Sequence, residues 1–263
     1  MKHKQYAGLD YKAMICKSGK AIRILAFSAI LATMATFFSC SDDIECDRVD
    51  SSTKSEVRDI VGFNAVVFNT IGDVYITQGA DYYFKIQGPE NVVAATTAII
   101  DDGLLVIGTT KCYNGNANIR VDITVPELNR IGMSGTGKIF VEDTLSADKL
   151  VMELYGLGEI HAALDVDSLF TDLVGSGIVA YKGLCNSHVM GCSGDIVLNA
   201  YDLKTATTNI LLSGIGDSYV TVDNKLVVVI TGQGNVYYKG QPVVESTITR
   251  LSSAMMICYF LSA

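Results

Sequence analysis

The chain has 263 residues, of which 49% are hydrophobic, and a formal net charge of −8 at pH 7. This length and composition allow one large domain or two ordinary ones with a sizeable core. The acidic balance, and the lack of a Lys/Arg cluster beyond residue 23, exclude the electrostatic footprint of a nucleic-acid-binding protein and any attraction to acidic lipids.

Residues 1–39 have the pattern of a secretory signal peptide. Lys17, Lys20 and Arg23 precede an apolar run over residues 24–38, and small residues then lead to Cys40. An apolar run of about 15 residues is short of the roughly 20 that cross a bilayer. The alternative interpretation is an N-terminal transmembrane anchor.

Cys40 is the predicted lipidation site. "TFFSC", residues 36–40, is similar to a bacterial lipobox, and "SDDIE", residues 41–45, resembles an acidic surface-export tag, although such a segment also suits a solvated linker. We therefore expect an outer-membrane lipoprotein on the cell surface, or alternatively facing the periplasm, held to the membrane only by its lipid. Residues 40–56 are predicted to form an acidic flexible linker.

The cysteine spacing indicates neither a zinc site nor a disulfide framework, because the sequence after Cys40 has no C-x-x-C pair and an odd number of cysteines. A bridge between Cys185 and Cys192 and two buried free thiols are both compatible with the spacing. The five cysteines after Cys40 are Cys46, Cys112, Cys185, Cys192 and Cys258.

The chain from residue 63 to 125 predicts short strands and hairpins. Residues 63–88 give short β runs broken by glycine, and Asp102-Gly103 is a strong hairpin-turn signal between two apolar runs. Residues 119–125 alternate between apolar and polar side chains up to Pro126. No Pro/Ser-rich linker separates this region from the chain after residue 131, so we expect one domain over residues 57–263.

From residue 131 onward, a G-x-G turn recurs about every 19 residues, in six copies. Apolar residues alternate on both sides of each turn, which predicts strands. Aligned on the second glycine, the fourth copy is irregular, since Cys192 takes the first-glycine position before Gly194. The predicted turn glycines are Gly135, Gly137, Gly156, Gly158, Gly175, Gly177, Gly194, Gly214, Gly216, Gly232 and Gly234.

Two architectures suit this repeat. Antiparallel hairpins also use glycine at their turns. A solenoid with coils of about 19 residues explains why the turns recur in register, because glycine at a corner leaves room for the backbone of the neighbouring coil. We predict the solenoid, with the apolar residues of each coil stacked on those of the next.

The order of these motifs resembles a known family, the putative auto-transporter adhesin head GIN domain. The similarity rests on "FNAVVFNTIGDVYITQG", "DDGLLVIG", "VDITVPELNRIGMSGTGKI" and the repeated "SGxGxI" turns, over about residues 63–246. It implies an all-β, right-handed parallel β-helix-like solenoid and an adhesin-type role, with no catalytic residues to transfer. The chain departs from the family pattern at residues 191–194, at Ile178 and in its tail.

The candidate chemical groups form no catalytic or metal-binding motif. His161 and His188 lie beside G-x-G strands, and His161 is predicted to point outward. Asp195 and Asp217 follow turns and are candidates for paired catalytic carboxylates or for a solvated face. Exposed tyrosines are candidate sugar platforms or strand-face fillers. These tyrosines are Tyr82, Tyr83, Tyr155, Tyr181, Tyr219, Tyr237 and Tyr238.

The leading functional hypothesis is a non-enzymatic envelope lipoprotein without a cofactor that binds a glycan or a surface protein. The competing hypothesis is a polysaccharide-cleaving enzyme, a lyase or glycoside hydrolase, on the same scaffold, and a purely structural envelope component is a third. Residues 250–263 predict a terminal strand that caps the solenoid, whose ends are also candidate oligomer contacts.

Overall fold

The computed structural model describes residues 46–249 and 256–258. The predicted signal peptide at 1–39, Cys40 and the rest of the tail lie outside the described residues. Strands dominate the described ranges, and one six-residue helix interrupts them. In chain order the elements are β1 (Asp47–Arg48), β2 (Thr53–Val57), β3 (Ala65–Asn69), β4 (Ile71–Gln78), β5 (Tyr83–Pro89), α1 (Glu90–Ala95), β6 (Thr96–Asp101), β7 (Leu104–Thr109), β8 (Tyr113–Asn114), β9 (Ile119–Val125), β10 (Arg130–Met133), β11 (Thr136–Leu154), β12 (Leu157–Leu173), β13 (Ser176–Cys192), β14 (Asp195–Leu212), β15 (Ser218–Ile230), β16 (Val236–Lys239), β17 (Val243–Ile248) and β18 (Met256–Cys258).

Strands β11 to β15 are successive windings of a parallel β-solenoid. Each pairs in parallel with the next, so that β11, β12, β13, β14 and β15 lie side by side in sequence order. The solenoid has about six turns, with coils about 19 residues apart. This confirms the predicted solenoid and rules out antiparallel hairpins for the repeat.

The core consists of columns of aliphatic side chains that run along the stack. Ile139, Ile160, Val179 and Leu198 occupy one register position in four consecutive coils, and all four are fully buried. A single coil cannot enclose its own apolar face, because burial requires the coil above and the coil below. The stability of each coil therefore depends on its neighbours.

The coil that comes first in the sequence is not the first in space. Strand β3 pairs in parallel with both β7 and β10, and β4 pairs in parallel with both β9 and β11. The coil formed by β3 and β4 is therefore held between two later segments of the chain. Its docking requires pairings between residues far apart in sequence, which simple repeat periodicity does not reveal.

Antiparallel strands close the N-terminal end of the solenoid. Strand β5 pairs antiparallel with β9, β2 with β5, and β6 with β7, while α1 buries Val92 and Val93 beneath this layer. The β6–β7 hairpin turns at Asp102 and Gly103, both with positive φ, as the sequence predicts. An antiparallel layer ends the parallel stack and covers its first edge.

Residues 46–57 belong to the folded domain, which corrects the prediction of a flexible linker reaching residue 56. Strand β1 pairs with β8, and β2 pairs with β5. A disulfide joins Cys46 to Cys112, although the cysteine spacing indicated no disulfide. Cys185 and Cys192 are buried free thiols rather than a bridge.

The glycine corners are more regular than the sequence alignment suggested. Leu157, Ser176, Asp195, Ile215 and Gln233 each donate a backbone N–H to the first glycine of the preceding corner. Gly194 is one of these first glycines and is stacked between Gly175 and Gly214. In the same corner, the position that the other corners fill with a second glycine is occupied by Ile196, which pairs with Gly177. The proposed first-glycine position for Cys192 is wrong, because Cys192 lies in the buried strand before the corner.

The described part of the tail adds one strand to the stack. Residues 256–258 form β18, which pairs in parallel with β16, so that Val236 lies opposite Met256. This agrees with the expected terminal strand. The rest of the tail lies outside the described residues.

Candidate functional site

A ladder of three aromatic rings runs up one outer face of the solenoid. Tyr75, Phe140 and His161 occupy the same register position on β4, β11 and β12. The Tyr75 and Phe140 ring centroids are 5.2 Å apart with the planes 20° from parallel, and those of Phe140 and His161 are 5.2 Å apart at 14°. The coil spacing thus places the rings at stacking distance.

Charged groups hold both ends of this ladder. At one end the Arg120 guanidinium carbon lies 3.7 Å from the Tyr75 ring centroid, within the range of a cation–π contact, and Arg120 also pairs with Asp122 at 2.7 Å. At the other end His161 Nε2 lies 2.9 Å from a carboxylate oxygen of Glu159. These contacts restrict the ring orientations.

Glu159 links His161 to the preceding coil. Lys138 Nζ lies 3.0 Å from the second carboxylate oxygen of Glu159. The hydrogen bond with His161 and the hydrogen bond with Lys138 lower the pKa of Glu159. The carboxylate is therefore charged at neutral pH and orients the imidazole from one side.

The ladder is interrupted for two coils. The next two residues in the column are Ala180 and Asn199, after which Tyr219 and Tyr237 resume it, with ring centroids 4.8 Å apart and planes 8° from parallel. Tyr201 meets the Tyr219 ring edge-on at 5.3 Å. Two aromatic segments therefore flank a stretch of small and polar side chains.

A groove of about 470 Å³ lies at this interruption. Its lining includes the aromatic residues Tyr75, Phe140, His161 and Tyr181, together with alanines from two neighbouring coils. Its polar lining comes from Glu142, Lys182, Asn199 and Asp202. Aromatic and small apolar surface next to a few convergent polar groups is the usual composition of a small-ligand site.

A larger groove of about 760 Å³ is acidic and more open. Asp148 on β11 and both Asp165 and Asp167 on β12 line it, with Lys204 two coils further along on β14. Within the described ranges, no group of His, Cys, Asp or Glu side chains has an arrangement that could hold a metal ion. The candidate site is the groove beside the aromatic ladder, because its lining combines aromatic and small apolar side chains with polar groups.

The two candidate catalytic carboxylates do not converge. Asp195 pairs with Ser176 at the corner itself, whereas Asp217 lies beyond its corner and accepts hydrogen bonds from Asn235. They do not occupy equivalent positions after their turns, contrary to the alignment. Neither lines either of the two grooves.

The candidate tyrosines and histidines have different environments. His161 points outward, as predicted, and its side chain is 38% exposed. Tyr181 is buried, which corrects its assignment as a possible exposed platform, and Tyr155 is exposed but donates a hydrogen bond to Asp172. Tyr82 packs against Phe63, and Tyr83 is exposed in the N-terminal cap.

His188 is a buried polar residue inside the solenoid core. It lies between Leu169 and Thr208 in one column, and its Nε2 is 3.0 Å from the Thr171 hydroxyl. Burial lowers the pKa of His188 to about 4. The imidazole is therefore neutral at physiological pH and belongs to the core rather than to a surface site.

Sequence reasoning missed two members of the ladder, Tyr75 and Phe140. The signal was present, since each is the third residue after a corner glycine, Gly72 or Gly137. The same offset gives His161, Ala180, Tyr219 and Tyr237. Reading that single column through the repeat would have identified the ladder, but not Asn199, because Ile196 occupies the second-glycine position in the fourth copy.

The geometry defines a β-solenoid protein with a lateral groove beside stacked aromatic side chains. Residues 62–242 match the family described as "Putative auto-transporter adhesin, head GIN domain". The chain belongs to this family. No curated protein shows significant similarity to the sequence.

Solved structures share the fold. A putative adhesin from Bacteroides fragilis NCTC 9343 superposes with a TM-score of 0.73 at 23% identity, over 81% of this chain and 98% of its own. A putative lipid binding protein from Parabacteroides distasonis ATCC 8503 superposes with a TM-score of 0.63 at 17% identity, over 80% of this chain and 98% of its own. A putative adhesin from Parabacteroides merdae ATCC 43184 superposes with a TM-score of 0.57 at 17% identity, over 82% of this chain and 98% of its own. At such identities the similarity establishes the fold.

Within the described residues, no helix has the length and apolar character needed to cross a membrane.

Proposed function

We propose that this protein is a non-enzymatic, lipid-anchored envelope protein that binds a glycan or a surface protein through the outer face of its solenoid. Family membership in the adhesin-like group supports a binding role at the cell surface. The order of basic residues, apolar run, small residues and Cys40 supports export and lipidation.

The observation that carries the binding role is the groove beside the Tyr75–Phe140–His161 ladder. Parallel pairing fixes the spacing of these outward side chains, so the surface is formed before a partner arrives. Aromatic rings with adjacent charged and amide groups suit partners that have both apolar and hydroxylated surfaces. Repeated coils also present similar faces side by side, which favours multivalent contact.

Binding is tested with the protein purified from the envelope of an expressing bacterium. The purified protein is applied to one array of immobilised glycans and to a second array of bacterial and host surface proteins. Saturable binding on either array is the expected result. Absence of saturable binding on both arrays would refute the binding role.

The anchor is tested separately. Bacteria expressing the wild-type chain or Cys40→Ala are grown with radiolabelled palmitate and then fractionated. We expect the label and the membrane association to be lost only in the variant. Protease added to intact cells then distinguishes the two faces of the membrane, since a surface-exposed domain is cleaved and a periplasmic one is protected.

A further inference from the structure

The two-coil interruption of the ladder leaves one face of the His161 ring without an aromatic neighbour on the next coil. Phe140 covers the other face at a centroid distance of 5.2 Å. On the far side the register partner of His161 is Ala180, which has only a methyl group. His161 and Ala180 both line the groove.

The space above this face has the dimensions of a ring. Coils are about 4.8 Å apart, so the three steps from His161 through Ala180 and Asn199 to Tyr219 span about 14 Å. A ring stacked on His161 needs about 3.5–4 Å between the two planes. One inserted ring therefore fits where the missing side chain of the ladder would stand.

The polar residues around this space suit a ligand with many hydroxyl groups. Glu142 and Asp202 offer carboxylate acceptors, Lys182 offers an ammonium donor, and Asn199 offers both a donor and an acceptor. These four polar side chains line the same groove as His161 and Ala180, and they exceed what an apolar aromatic side chain can use. A pyranose combines an apolar C–H face for His161 with equatorial hydroxyls for these groups.

We propose that this groove is a saccharide subsite, in which one pyranose ring of a glycan stacks on His161 above Ala180 and is held by Glu142, Lys182, Asn199 and Asp202. The assignment rests on the proposed binding function and narrows it to one ligand class and one place. The ring plane lies parallel to that of His161, so the glycan enters from the side of the solenoid.

The test fills the missing position of the ladder. Ala180→Phe places a fourth ring on His161 and occupies the subsite, whereas Ile178→Phe adds the same ring two residues earlier on the same strand, at an exposed position outside the groove. His161→Ala removes the stacking platform. The proteins, purified from the envelope, are titrated on immobilised glycans ending in glucose, galactose, mannose, fucose or N-acetylglucosamine, and on tyrosine- and tryptophan-containing peptides.

We expect the wild type and Ile178→Phe to bind the same glycan with affinities within about twofold. His161→Ala should weaken binding about three- to tenfold, in line with the loss of one aromatic stacking contact. Ala180→Phe should weaken binding more than tenfold, while its thermal melting shows that it is folded. If Ala180→Phe fails to fold, the His161→Ala comparison alone decides the assignment.

Three results would overturn the saccharide assignment. Full glycan binding by folded Ala180→Phe or by His161→Ala would place the binding site elsewhere, with the general binding function intact. Binding of the peptides but not of any glycan would assign the groove to an aromatic side chain of a protein partner. Absence of binding to glycans, peptides and the surface-protein array together would remove the proposed function as well.

Discussion

Gly177 is a residue whose identity the corner geometry dictates. Its φ is +149°, a conformation that L side chains rarely adopt, and a Cβ at this position would overlap the carbonyl oxygen of Gly158 on the preceding coil. Both effects act on the backbone, so side-chain rearrangement cannot relieve them. The corner therefore requires glycine for conformation and for space.

We predict that Gly177→Val destabilises the fold by about 3 kcal/mol, through backbone strain and overlap between coils. The control is Gly191→Val, since a Cβ at Gly191 meets only the Asp172 carboxylate, at 3.7 Å. Gly191 lies within β13, where valine is favourable, so we expect a change within about 1 kcal/mol. Urea denaturation midpoints measure both, and equal midpoints would contradict the corner geometry.

His188 makes the stability of the solenoid depend on pH. Burial lowers its pKa in the folded state to about 4, whereas an unfolded chain has a histidine pKa near 6.5. Between these values the unfolded state binds the extra proton, so folding stability falls as the pH decreases from about 6.5 to 4. The contribution is at most about 1.4 kcal/mol per pH unit within that window.

The measurement is a series of chemical denaturations between pH 4 and 7.5. The free energy of unfolding is plotted against pH for the wild type and for His188→Leu, and the second curve is subtracted from the first. The difference gives the contribution of His188, because carboxylates such as Glu159 titrate in both proteins. We expect this difference in the free energy of unfolding to fall as the pH decreases from about 6.5 to 4 and to be constant above pH 6.5. A flat difference curve for His188→Leu would refute this role.

At the scale of elements, the Cys46–Cys112 disulfide fastens the N-terminal cap. The two cysteines are 66 residues apart in sequence, and the bond joins the start of the folded domain to the segment just before β8. Closing a loop of that length in the unfolded chain stabilises a fold by about 2–4 kcal/mol. The β1–β8 pairing has only two residue pairs, so it depends on this bond.

We predict that the double variant Cys46→Ser/Cys112→Ser loses protection in the cap but not in the repeat. Hydrogen exchange followed by mass spectrometry should show faster exchange over β1, β2 and β8, while β12 to β14 keep their wild-type rates. Cys185→Ala, which changes a buried free thiol of the repeat, is the control and should leave exchange in the cap unchanged. Uniform acceleration in every coil would show that cap and repeat unfold together.

The sequence predicted the elements better than their long-range partners. Apolar alternation around each G-x-G turn specified strands, and the 19-residue interval specified parallel stacking, because both signals are local. The position of β3 and β4 between later strands could not be predicted, since it depends on pairings across tens of residues. At Ile196 a side chain occupies a second-glycine position, so the motif alone misaligned that copy.

The candidate site was predictable in part for the same reason. His161, Tyr219 and Tyr237 were recognised individually, although their common offset of three residues from a corner glycine is visible in the sequence. The groove exists because the register column of the aromatic ladder has Ala180 and Asn199, and no aromatic ring, on two consecutive coils. A sequence motif search finds residues that are present, whereas this site is defined by small residues between large ones.

At the scale of the whole molecule, a stack of parallel coils must protect both of its ends. The N-terminal end has antiparallel strands, a helix and a disulfide. At the C-terminal end, β18 pairs along β16 in parallel register. An unpaired β edge recruits strands from other molecules, so this pairing is expected to limit self-association.

Deleting residues 250–263 should therefore leave a folded protein that self-associates. The deletion removes β18 and exposes the backbone donors and acceptors of β16, while the coils from β11 to β15 retain all their mutual pairings. Circular dichroism should remain that of a β protein, and light scattering coupled to size exclusion should show concentration-dependent oligomers. The control, deletion of residues 259–263 alone, keeps β18 and should elute as the wild type does. A monodisperse wild-type-like profile for the longer deletion would mean that β18 does not protect this end of the stack.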